Sequence, residues 1–283
     1  MGTIEKYANI LKKIDRNLDS IEKFQTKMSK QREADNLLLP LFLKESEYVN
    51  KLKSLLKVRD VDGKNYTRVG SSADGGYVMV DDLDKISKVY SIGIGDDISF
   101  DSFFSDKKTN VYMYDHTIED IPVHNEFLHW WPIGVCGEKN SFDNMKTLDE
   151  IIHDNCHDNE KGMILKMDIE GYEWEVLKNI SCETLNAFDQ IVMELHGMHN
   201  LGHKDKIVQG IENINKTHQL VHVHANNWGA VVNIDGWILP DLLEVTFVNK
   251  NNYRFKDSKR FFPTDLDERN VEQLPEVPLG YYN

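Results

Sequence analysis

Three stretches of this chain place groups capable of chemistry at the ends of apolar runs. Val89-Tyr90-Ser91-Ile92 leads into Gly93-Ile94-Gly95-Asp96-Asp97, Met163–Met167 leads into Asp168-Ile169-Glu170-Gly171, and Val192-Met193 leads into Glu194-Leu195-His196. The first is a strand, a glycine turn and a helix start, the way an α/β sheet brings its backbone close to a nucleotide-type ligand. Alone, Gly-x-Gly is a weak signal and equally describes a tight connection. The next apolar run, Val111–Tyr114, ends in Asp115-His116. That acid falls about 20 residues after the glycines, where a ribose diol would be hydrogen-bonded.

The pair fits a dinucleotide or S-adenosylmethionine. Ile98 stands where the third glycine of a dinucleotide turn belongs, and Asp96 and Asp97 would set negative charge beside a pyrophosphate. A sulfonium with an amino-acid tail tolerates that acidity, so the turn favours S-adenosylmethionine over NAD. The second stretch ends in two carboxylates, Asp168 and Glu170, which would face the reactive end of such a cofactor or simply cap the following helix. In the third, period two puts Glu194 and His196 on one face, and His196 is the candidate general base for an alcohol; holding loop carbonyls is its structural alternative.

These stretches resemble the FkbM-type family of S-adenosylmethionine-dependent methyltransferases. The likeness rests on Lys166–Glu173, which has the K-x-D-I-E-G-x-E form, on Ser91–Asp97 as a variant glycine loop, and on Val192-Met193-Glu194-Leu195-His196. It spans roughly residues 66–250. Ser91 and Asp97 stand where the common loop has an acid and its last glycine. The resemblance implies a Rossmann-like class I fold: a seven-stranded, mostly parallel sheet with an antiparallel last strand, for which Leu242–Val248 is the candidate. It also implies methyl transfer to hydroxyls of sugars, polyketides or other small metabolites. On this reading Gly93, Gly95, Asp96, Asp115, His116 and Asp168 hold the cofactor, and His196, Asp168 and Glu170 carry the chemistry.

Acceptor-side candidates are Glu194, His224, Asn226 and Tyr77. His222 and His224 end a later strand on one face, and Asn226 and Asn227 after them suit sugar hydroxyls or turn chemistry equally. Tyr77 follows Asp74-Gly75-Gly76, which reads first as a hairpin turn and second as a flap over the cofactor. Asp168, Glu170, Glu194 and His196 would also form an oxygen-rich Mg²⁺ site, the less favoured reading.

The elements positioning these groups follow from periodicity. Short apolar runs at Lys88–Ile92, Asn110–Tyr114, Trp131–Val135, Gly162–Met167, Gln190–Glu194, Leu220–His224 and Leu242–Val248 read as strands. Ser99–Ser105, Thr147–His153, Tyr172–Ile180 and Lys204–Lys216 read as helices between them. Near-continuous apolar strands alternating with helices predict an α/β sheet covered on both sides. The tail from Phe262 reads as an irregular wrap.

Residues 1–57 form an N-terminal helical segment ahead of a methyltransferase domain over 58–283. Ile4, Tyr7, Leu11, Ile14, Leu18 and Ile21 repeat as a heptad seam that would serve a homodimer or pack on its own domain. A second helix covers Glu45–Lys57. The chain of 283 residues has net charge −14, split as +4 over residues 1–57 and −18 over the rest. So acidic a body disfavours nucleic acid as a partner and leaves a small-molecule substrate. Three cysteines without metal or disulfide spacing and no long apolar run predict a soluble, cytoplasmic protein with no membrane partner. The rival readings are an NAD-dependent oxidoreductase or epimerase on the same sheet and a non-catalytic scaffold.

Overall fold

The structure is a computed structural model that describes residues 47–139, 144–234 and 236–282. The heptad seam of Ile4–Ile21, and the homodimer expectation resting on it, lie outside the described residues. The first described helix, α1 (Glu47–Leu55), buries Tyr48, Val49 and Leu52. It belongs to the main body: Tyr48 Oη donates to Met198 O at 2.9 Å, and Asn215 Nδ2 donates to Leu55 O at 2.9 Å.

After β1 (Arg59–Val61) come the hairpin strands β2 (Tyr66–Val69) and β3 (Tyr77–Val80), then β4 (Lys88–Ile92), α2 (Ser99–Asp106), β5 (Asn110–Tyr114) and β6 (Leu128–Trp131). A side ribbon of β7 (Gly134–Cys136) and β8 (Met145–Thr147) precedes α3 (Leu148–Asp154) and β9 (Met163–Met167). Helices α4 (Glu173–Asn179) and α5 (Cys182–Leu185) lead to β10 (Phe188–Leu195), α6 (Lys204–Thr217) and β11 (His218–Ala225). The chain closes with the β12 (Val231–Ile234) and β13 (Trp237–Pro240) hairpin, β14 (Leu243–Asn249) and β15 (Phe255–Asp257).

Seven strands form the central sheet in the order β11-β14-β10-β9-β4-β5-β6. The pairs β6–β5, β5–β4, β4–β9 and β9–β10 are parallel, while β14 runs antiparallel to both β10 and β11. This is the Rossmann-like sheet with an antiparallel last strand. The expected strand at Trp131–Val135 is corrected: β6 stops at Trp131 because Pro132 has no N–H for the ladder, and residues 134–136 pair instead with β8.

Period two divides the core between the two faces of the sheet. Tyr90, Leu165, Ile191 and Met193 point to the cluster containing α1, α4 and α6, whereas Val89, Ile164 and Val192 point to the one containing α2 and Tyr77 and Met79 of the hairpin. The hairpin is fixed there by polar groups as well. Gln190 pairs its side chain with Val80 N (3.0 Å) and Val80 O (2.9 Å), and Thr246 Oγ1 donates to Val78 O at 2.6 Å.

The tail is an irregular wrap tied to the core. Phe262 and Gly280 exchange backbone hydrogen bonds, and Phe262, Leu279 and Tyr282 are buried. Among the described residues no helix is long and apolar enough to cross a membrane.

Candidate active site

From β4 the chain moves through β5 and β6 toward one edge, then returns to place β9 on the other side of β4. The crevice at the carboxyl ends of β4 and β9 is therefore the switch point, where open α/β sheets bind ligands. Gly93 lies in it. Its φ is +74°, and a Cβ there would come within 1.6 Å of Asp168 O, so only glycine fits. Gly95, φ +58°, has nothing within 4 Å of its Cβ direction and faces open space beside the exposed Asp96 and Asp97.

Asp115, at the end of β5, shapes this turn. Its Oδ2 accepts from Ile94 N (2.8 Å) and Gly95 N (3.1 Å), and its Oδ1 accepts from Thr117 N (2.8 Å) and Thr117 Oγ1 (2.6 Å). Burial opposes the charge, but these donors outweigh it and hold the carboxyl below its ordinary range. Four donors fill the acceptor positions of a carboxylate. Asp115 thus reaches a ribose only by releasing one of them, and in this structure it ties the glycine turn to Thr117. His116 beside it is exposed. Beneath the turn, Lys166 Nζ donates to Gly93 O, and buried Asp101 lies within reach of Lys166 and Ser91. Burial pushes the Asp101 carboxyl up to about 6 despite that lysine.

A row of ionisable groups crosses the sheet at the same edge. Met167 is level with Met193, so Asp168 and Glu194 emerge side by side; Glu194 is paired with Glu244, and Glu244 with His224. His196 follows β10 and stands among four carboxylates. Its Nδ1 is 3.2 Å from Glu173 Oε1, and its Nε2 is 3.4 Å from Glu170 Oε2 and Glu194 Oε2 and 3.9 Å from Asp168 Oδ1. Burial favours the neutral ring, but Glu173, Glu194 and Asp168 outweigh it and raise His196 to about 9. Burial, then Asp168 and Glu244, raise Glu194 to about 8; burial raises Asp168 to about 6 against Lys166 and His196.

The sequence placed His196, Asp168, Glu170 and Glu194 in one site, and the structure brings them together. Glu173, quoted only as part of a motif, proves central to the local fold. Fully buried, its carboxylate accepts from Ile169 N at 2.9 Å and Gly171 N at 3.0 Å, closing the turn in which Glu170 takes φ +55°. Glu170 itself is exposed.

His224 and Asn226 were expected on the acceptor side, and their polar atoms are engaged within the protein. His224 lies 2.7 Å from Glu244 Oε2 through Nδ1 and 3.4 Å from Glu276 Oε1 through Nε2. Asn226 Nδ2 donates to Glu194 Oε1 at 2.6 Å, and its Oδ1 accepts from Trp228 N. His222 is bound to Asp267 at 2.8 Å, and the Asn227 amide donates to Val271 O and Leu274 O. Strand β11 thus ends in fasteners for the tail.

Tyr77 is buried on β3 with its phenol facing the row; burial, then Asp168, Glu194, Glu244 and Asp74, raise it well above the ordinary tyrosine range. The Asp74-Gly75-Gly76 segment is the tip of a longer hairpin loop pinned by Arg68, which donates to Ser71 O and Ala73 O, each at 2.8 Å. A Cβ added at Gly75 would stand 3.3 Å from Asp97 Oδ2, so the tip does lie against the glycine loop. Sequence reasoning missed Asp74, Glu244 and the exposed Trp228. A lone acid inside the apolar Leu242–Val248 run was the available signal for Glu244.

Residues 83–217 match the family model described as the methyltransferase FkbM domain. This segment, just under half of the chain, is similar to that family. Solved structures similar to the chain include an FkbM methyltransferase from Methylobacillus flagellatus, at 15% identity and TM-score 0.34, covering 57% of this chain and 44% of that one. A putative S-adenosylmethionine-dependent methyltransferase from Listeria monocytogenes shows 9% identity and TM-score 0.35, covering 59% of this chain and 93% of that one. A fibrillarin/Nop5p complex shows 9% identity and TM-score 0.36, covering 58% and 72%. The FkbM segment therefore spans β4 and the helices and strands through α6, and the chain covers less than half of the Methylobacillus protein. Comparison with curated proteins gave no match.

Proposed function

We propose that the protein transfers a methyl group from S-adenosylmethionine to a hydroxyl oxygen of a small carbohydrate or nucleotide-linked metabolite. The observation that carries this reading is the meeting of the Gly93 turn with Asp168 at the switch point, beside the His196 cluster. The turn fits the cofactor: Gly95 leaves space over its backbone, and exposed Asp96 suits a cationic amino-acid tail. Gly93, Gly95 and Asp96 would line the bed, Asp115 would fix its shape, and His116 would border it.

When bound, the cofactor supplies a methyl group already activated on sulfonium. The chain then has to position the acceptor and remove its proton, of which base catalysis contributes about 10²–10⁴-fold. Held near 9, His196 is cationic at neutral pH and is not a lone neutral base. Asp168 is the better proton acceptor: it is ionised above about 6, and its buried Oδ1 has no hydrogen-bond partner among the described residues. His196 steadies that charge, and because the groups are coupled the cluster titrates as a unit. Exposed Tyr172 and Trp228, on loops after β9 and β11, lie at the same sheet edge and support a sugar face.

Calorimetric titration with S-adenosylhomocysteine, with NAD as comparison, tests the reading, followed by transfer of labelled methyl to sugar and nucleotide-sugar acceptors. Micromolar binding of S-adenosylhomocysteine alone is expected. Binding of NAD alone would move the protein to the oxidoreductases.

A further inference from the structure

Beside the methyl-transfer site, the β10–β14 edge concentrates acidity that proton removal does not require. Carboxylate oxygens of Asp74, Glu194 and Glu244 all lie within 4.8 Å of one another. Glu194 and Glu244 are direct cross-strand partners, with only 7% and 5% of their surface exposed. Like charges in that relation repel, and burial removes the water that would screen them. Among the described residues their ion-pair partners are histidines, with no lysine or arginine.

Each carboxylate is oriented from behind. Asn226 donates to Glu194 Oε1 at 2.6 Å, while His196 Nε2 stands 3.4 Å from its Oε2; Asn270 Nδ2 donates to Asp74 Oδ1 at 3.0 Å and to Glu244 Oε1; His224 holds Glu244 Oε2. An outer ring of hydrogen bonds of this kind fixes metal-bound carboxylates. Two further groups point to a ligand. Tyr77, 3% exposed, turns its phenol toward Asp74, Asp168, Glu194 and Glu244, yet its hydroxyl makes no hydrogen bond among the described residues. Buried Asn270 Oδ1, on the amide that bridges Asp74 and Glu244, likewise has no partner among them.

We propose that Asp74, Glu194 and Glu244 bind one hard divalent cation of the Mg²⁺, Mn²⁺ or Ca²⁺ class, with the Tyr77 hydroxyl turned toward a water or acceptor oxygen on it. Three carboxylates and no thiol select such ions. These ligands differ from the set the sequence suggested. A second trio, Asp168, Glu173 and His196, also converges, but the Glu173 carboxylate is taken by Ile169 N and Gly171 N. Cation binding stands by itself; its use in presenting an acceptor hydroxyl rests on the methyl-transfer reading.

Full-length protein, stripped with chelator, is titrated with Mn²⁺ while free ion is followed by electron paramagnetic resonance. One Mn²⁺ per chain is expected, displaced by Mg²⁺ or Ca²⁺, with affinity falling at least tenfold in Asp74→Asn and Glu244→Gln. Asp74 is exposed on a loop, so its variant reports even if Glu244→Gln fails to fold. Protein that binds S-adenosylhomocysteine but none of the three ions at millimolar concentration would overturn the site and leave the methyl-transfer reading standing. Mn²⁺ binding indifferent to Asp74→Asn would equally overturn it, and Mn²⁺ binding without S-adenosylhomocysteine binding would remove only the methyl-transfer reading.

Discussion

Glu194 and Glu244 face each other directly across an antiparallel strand pair, both buried, at the edge where the chemistry gathers. Two carboxylates in that position do not both stay ionised without a compensating charge. Burial, Asp168 and Glu244 hold Glu194 protonated to about pH 8, so the cation-free protein carries a proton there.

Stability of the cation-free protein is expected to fall as pH rises from about 6.5 to 9. Against the pull of burial, Glu173 and its neighbours raise His196 from 6.5 to about 9 in the folded state, so its contribution is full below 6.5 and lost through 9. Glu194, raised from 4.5 to about 8, acts with the same sign: the unfolded carboxyl ionises first, and stability declines from about pH 4.5 to 8. Thermal melts in chelator at pH 6.5 and 9 check this, and Glu194→Gln should flatten the slope. An unchanged or higher Tm at pH 9 would refute it.

Gly93→Ala should be far more damaging than Gly95→Ala. Both positions have positive φ, which costs a side chain about 1–2 kcal/mol. Only at position 93 does the new methyl also collide with Asp168 O, where the backbone on both sides must shift. Comparing the two melting temperatures, and soluble yield at position 93, decides the point; equal effects would remove the close approach.

Asp115→Ala should weaken S-adenosylhomocysteine binding by tenfold or more. It leaves Ile94 N, Gly95 N and the Thr117 donors without their acceptor, and unpaired polar groups cost about 1–3 kcal/mol each when buried. Calorimetry on a variant with native far-UV dichroism is the measurement. Unaltered affinity would show that the turn holds its shape without the acid.

Asp168→Asn should lower kcat by about 10²–10⁴-fold with cofactor affinity little changed. His196→Gln should leave more activity and move the acidic limb of the pH–rate profile upward, because it removes a cation that favours the Asp168 anion. Full turnover in Asp168→Asn would place the proton acceptor elsewhere.

Asn227→Ala should loosen the tail. One side chain holds Val271 O, Leu274 O and Pro275 O and accepts from Val271 N. Faster limited proteolysis after residue 262, without a change in the rest of the map, is the expected result; an unchanged cleavage rate would assign the tail's anchoring to its buried Phe262, Leu279 and Tyr282.

Six of the seven central strands were legible because each is an apolar run of ordinary length, and Lys88–Ile92 and Asn110–Tyr114 are read to the residue; the short hairpin strands carry no such run. Trp131–Val135 misled because one aromatic and two aliphatics outweighed Pro132 in the pattern, although one missing N–H ends the ladder. Gathering Asp168, Glu194 and His196 needed only knowledge that parallel strands share a carboxyl edge. Placing Glu244 beside Glu194 needed the register of an antiparallel strand arriving from far along the chain, which no local pattern encodes. Asp74 was hidden for a related reason, since Asp-Gly-Gly looks the same whether its loop ends in solvent or folds over a sheet. His224 and Asn226 sat at the right edge, but their partners belong to the tail.

The Asp97 carboxylate stands 3.3 Å from where a Cβ on Gly75 would lie, which makes the tip of the Asp74 loop a neighbour of the glycine turn. Whatever free energy passes between them is shared symmetrically: a cofactor that tightens cation binding by some factor must itself be tightened by the cation by the same factor. The two sites then form a thermodynamic square, and titrations run in either order must close it.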